Sequence, residues 1–213
     1  TGAIQFGVDP EKIVLHSPLQ IEQLLPYLLP EWLKIEAKGP FSLSMPLNTF
    51  LVFKQSCQQQ NITFILSAGQ EASYSLAELA DSFQQDNGWL DVYNALGIKG
   101  FDPMQEISIS DQLDHLVKTG FVDQISPERF RIGQAGSALA EVFSDSRLVT
   151  ISLSLTSVNP SIMTMCAFLI GNGHLFRVDF LDDKVALTAM QSRQEGLDWI
   201  KEMIQSRSTR RNQ

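Results

Sequence analysis

The sequence predicts an α+β protein, in which helices fill the N-terminal two thirds and an antiparallel sheet the rest. Three observations predict it. Leucines at helical spacing dominate residues 19–29. Helix-start and helix-stop signals recur between residues 75 and 143. Beyond Arg147 the apolar period changes from about 3.6 to 2, the period of a half-exposed strand. With 213 residues, 44% hydrophobic and 19% charged, the chain is long enough for one or two ordinary globular domains.

The elements follow in order. Residues 8–39 read as helical, with Ser17 as N-cap, Pro18 in the first turn and Gly39-Pro40 as the stop. "MPLNTFLVFKQSCQQQ", 45–60, reads as a second helix, and "NITFILSAG", 61–69, as a buried strand. These make a 1–70 segment that is helical with one strand. Ser75 before "LAELADSF", with Glu78 three residues on, is a capping box. "WLDVYNALG" is a short helix closed by Gly97. Ser108 or Ser110 caps a helix that Gly120 ends, with Leu113, Leu116 and Val117 as its buried stripe. "FVDQI" and "RFRI" pair around "SPE", and "QAGSALAEVFSD" closes a 71–147 module.

After a short linker at 144–148, "RLVTISLSLTSV" alternates Val149, Ile151, Leu153 and Leu155 with Thr150, Ser152, Ser154 and Thr156. Its Ser/Thr face makes it a candidate edge strand, open to a partner. "SIMTMCAFLI", "HLFRVDFL" and "KVALTAM" complete a four-strand meander, with turns at Gly171-Asn172-Gly173 and Asp182-Asp183. A helix over 192–206 ends the 148–206 domain, and the tail 207–213 is expected to be disordered.

Charge narrows function. The net charge is −8. Residues 71–147 hold 13 acids and 5 bases, whereas 148–213 hold 6 acids and 7 bases. No apolar run reaches the eighteen or so residues of a membrane span, and the first twelve residues lack the pattern of a signal peptide. Cys57 and Cys166 have no neighbour at ligand spacing, so both read as free thiols of a reducing, cytoplasmic setting.

The residues 113–143 carry a resemblance. Leu113, Leu116, Gly120, Phe121 and Val122, then Phe130, Ile132 and Gly136, resemble the second half of a winged-helix domain of the bacterial regulator type over about 74–146. The resemblance implies a winged-helix-like middle module between the helical N-terminal layer and the C-terminal β-meander closed by a helix. It also implies either a DNA reader or a protein-docking scaffold. The stretch 174–204 is similar in pattern to the sheet-then-helix ending of ESX (type VII) secretion-associated chaperones, which implies a helical client.

Electrostatics discriminates between these. A DNA reader needs several Lys or Arg on its docking face. The helix 109–119 offers Asp111, Asp114, His115 and Lys118, and the wing only Arg129 and Arg131. Duplex DNA is therefore disfavoured as a partner. Trp89 and Tyr93, four apart, are candidate aromatic anchors. Candidate chemistry is sparse. His16, His115 and His174 are scattered, and no G-x-S-x-G, H-E-x-x-H or C-x-x-C is present. The sequence thus suggests no cofactor, metal or small-molecule substrate. It suggests a non-catalytic protein-binding or regulatory adaptor whose candidate contacts are Trp89, Tyr93, Asp111, Asp114, His115, Arg129 and Arg131. A homodimer is one such partnership.

Overall fold

The computed structural model describes residues 3–8, 11–15, 35–36, 39–69, 72–83, 107–144, 146–155, 162–171, 173–181 and 184–209. In chain order these form β1 (Ala3–Val8), β2 (Glu11–Leu15), β3 (Ser42–Pro46), α1 (Leu47–Leu66), β4 (Tyr74–Ser75) and α2 (Leu76–Phe83). Then come α3 (Ile109–Lys118), β5 (Val122–Ser126), β6 (Arg129–Ile132) and α4 (Ser137–Ser144). The last are β7 (Ser146–Leu155), β8 (Ile162–Gly171), β9 (His174–Leu181), β10 (Lys184–Ala189) and α5 (Arg193–Thr209). The fold is α+β. Two compact units divide it: Thr1–Ser44 with Ser146–Asp182 and Ala186–Gln213, and Met45–Asp145 with Asp183–Val185.

The first unit is built on a sheet of strand order β2-β1-β7-β8-β9-β10-β3. The alternation beyond Arg147 forms β7, which pairs antiparallel with β8 from Ser146↔Gly171 to Leu155↔Ile162. Gly171↔His174 closes the β8–β9 hairpin, and Gly173 at φ 78° supplies the left-handed step that such a tight turn requires. Five consecutive residues of β8, Ala167 to Gly171, are buried, so both faces of that strand are covered there. Trp199 of α5 meets Phe168 edge-on at 5.0 Å. Ser192 caps α5, accepting from the Glu195 N–H, while the Glu195 carboxylate accepts from Gln191 N–H at 2.6 Å.

Three expectations are corrected here. Residues 3–8 and 11–15 are not part of a helical layer. They form β1 and β2, paired antiparallel from Ile4↔Leu15 to Val8↔Glu11, because "AIQFGV" alternates Ile4, Phe6 and Val8 with smaller or polar residues and "EKIVL" ends in a short, β-branched apolar run. Most of the expected helix 8–39, including Ser17 and Pro18, lies outside the described residues. Strand β7 is not an edge, since it lies between β1 and β8 and pairs with both. Its backbone donors and acceptors are therefore taken on both sides. The linker expected at 144–148 is largely strand, since β7 starts at Ser146.

The second unit is organised around α1. Nine residues between Leu47 and Cys57 are buried, among them Phe50 and Phe53. The Phe53 ring meets Phe121 at 5.3 Å and Phe143 at 6.0 Å, both edge-on. Thr49 donates to Gln112 of α3 at 2.7 Å, and the Gln60 side-chain Oε1 accepts from Ile132 N–H at the end of β6. A small sheet of order β4-β6-β5 completes the unit. The strand expected at 61–67 is instead the last two turns of α1. Once a helix is nucleated, each added residue gains a hydrogen bond, and the helix penalty of Ile and Thr is only a few tenths of a kcal/mol. Ile62, Phe64, Ile65 and Leu66 are exposed rather than buried.

Candidate partner-binding surface

Ser108 is the N-cap of α3, its hydroxyl accepting from Asp111 N–H at 3.4 Å. Leu113 and Leu116 point into the core, which turns Asp111, Asp114, His115 and Lys118 outward along one face at i, i+3, i+4 and i+7. Asp111 sits in the first turn and Lys118 in the last, each favourable to the helix dipole. The helix ends at Thr119, whose hydroxyl donates to His115 O at 2.9 Å, and at Gly120, which takes φ 75°. Phe121 N–H donates back to Leu116 O at 3.0 Å.

Two glycines lock this turn to α4. A Cβ on Gly133 would strike Gly120 O, and one on Gly136 would lie 2.7 Å from Phe121 O and 2.8 Å from the Phe53 ring. Gly133 N–H donates to Phe121 O at 2.9 Å and Ala135 N–H to Gly120 O at 3.2 Å. The end of α3 and the start of α4 can therefore approach only as bare backbone.

The segment expected as a wing is the β5–β6 hairpin. Val122 faces Ile132 and Asp123 faces Arg131. The register shifts between Gln124 and Ser126, and Ile125 is half exposed there. The Arg131 guanidinium donates to its cross-strand neighbour Asp123 at 3.3 Å. Arg129 donates to Glu78 at 3.2 Å, and the same carboxylate oxygen accepts from Ser75 N–H at 2.7 Å. The Ser75 hydroxyl accepts from Glu78 N–H in return, so the capping box forms and also anchors the wing. Such exposed pairs stabilise little, about 0–1 kcal/mol each. Their weight is in charge: both wing arginines are matched to carboxylates of their own unit.

The structure thus brings Asp111, Asp114 and His115 onto one helical face, and Arg129 and Arg131 onto the wing. Trp89 and Tyr93 lie outside the described residues.

The sequence reading missed an open groove of about 390 Å³ in the sheet unit, lined by Arg177 and by Met190, Glu195, Asp198, Trp199 and Glu202 among others. Arg177 donates to Asp179 at 2.7 Å and lies 5.3 Å from the centre of the Trp199 ring. The signal was present in the i, i+3, i+7 spacing of Glu195, Asp198 and Glu202 with Trp199, but pairing with Arg177 requires the fold. Among the described residues no histidine lines this groove, and the serine that does, Ser192, is engaged in the α5 cap.

In the core of the second unit, Cys57 is a buried free thiol, and burial raises its pKa well above the usual 9.0. Burial likewise pushes the Tyr74 phenol up; Ser56 beside it acts weakly the other way, although neither hydroxyl finds a partner at hydrogen-bonding geometry. The side chain of Cys166 lies outside the described residues. Among the described residues no three His, Cys, Asp or Glu converge to hold a metal ion, and no helix is long and apolar enough to cross a membrane. Comparison of the chain with protein-family models, curated proteins and solved structures finds no significant match.

Proposed function

We propose that the chain is a cytoplasmic, non-catalytic adaptor that docks a protein partner on the face formed by α3 and the β5–β6 wing. The unit has the parts of a winged helix: a helix, a glycine turn, a two-stranded wing and a closing helix. The observation that carries the reading is the pairing of both wing arginines with Glu78 and Asp123. A duplex-binding face must offer several uncommitted cations to phosphates, and charge placed badly beside a polyanion is unfavourable at every contact. Among the charges of α3 and the β5–β6 hairpin, Asp111, Asp114, Asp123 and Glu128 outnumber Lys118, Arg129 and Arg131. An acidic face with one histidine suits a partner surface rich in Lys or Arg.

Affinity capture from native lysate, read by mass spectrometry, tests this. The wild-type chain is expected to retain a protein that the double variant Asp111→Lys/Asp114→Lys loses about tenfold or more, a typical effect for charges at a docking face. Retention of nuclease-sensitive material alone, or equal capture by both chains, would overturn the reading.

A further inference from the structure

No further inference is drawn: the strongest candidate, the open groove of the sheet unit lined by Glu195, Asp198 and Glu202 of α5 with Arg177 and Trp199, is a cluster of carboxylates beside a cation that the fold already pairs with Asp179, and no second feature among the described residues points to a ligand there.

Discussion

Cys57 and Tyr74 make the core of the second unit sensitive to alkali. Both are buried and both have pKa values raised by that burial. In the unfolded chain the thiol ionises near 9.0 and the phenol near 10.0, while in the folded chain both stay neutral. Their contribution to stability is therefore complete below pH 9 and is lost as pH rises above it. Denaturant midpoints measured from pH 7 to 10.5 are expected to fall above pH 9. In Cys57→Ala the part of the fall that begins at 9 is expected to vanish, leaving the later onset from Tyr74. Gly136 is the second sensitive position. Alanine there would push into Phe121 O and the Phe53 ring, and overpacking of this kind costs about 1–3 kcal/mol. Equilibrium unfolding of Gly136→Ala measures it; a loss below about 0.5 kcal/mol would mean that the turn relaxes freely.

At the scale of elements, what was legible in the sequence was whatever is local. Ser75 and Glu78 announce a capping box, and the box forms with both hydrogen bonds. Ser75→Ala is expected to cost about 1 kcal/mol in equilibrium unfolding, through loss of the hydroxyl that accepts from Glu78 N–H. Gly120 and Gly173 announce left-handed steps and take them. Strand β7 was readable because apolar and hydroxyl residues alternate along it, and β8 because its apolar run stops at the Gly171-Asn172-Gly173 turn signal. The failures have physical causes as well. "NITFIL" has the composition of a strand, but it continues a helix already nucleated by the buried run from Leu47 to Cys57. Exposure of Ile65 and Leu66 has no local signal, since apolar residues predict burial wherever they fall. Strand β1 pairs with β7 more than 130 residues further along the chain, so that pairing is invisible to any window of neighbours. For the same reason the centrality of β7 could not be read from its own alternation.

For the whole molecule, the candidate site was legible as composition but not as geometry. The acid excess of residues 71–147 and the outward face of α3 follow from sequence. That Arg129 meets Glu78, 51 residues away, and that Arg131 faces Asp123 across the hairpin, follow only from the fold. Those two pairs set both arginines of the hairpin against carboxylates of their own unit. The central claim, that this acidic wing serves a protein rather than DNA, is tested most directly by titrating a fluorescent duplex library with the full chain at low salt, where phosphate contacts are strongest. No saturable, sequence-dependent binding is expected of the wild type, and Asp111→Lys/Asp114→Lys is expected to gain only weak, salt-sensitive binding. Sub-micromolar, sequence-selective binding by the wild type would contradict the account.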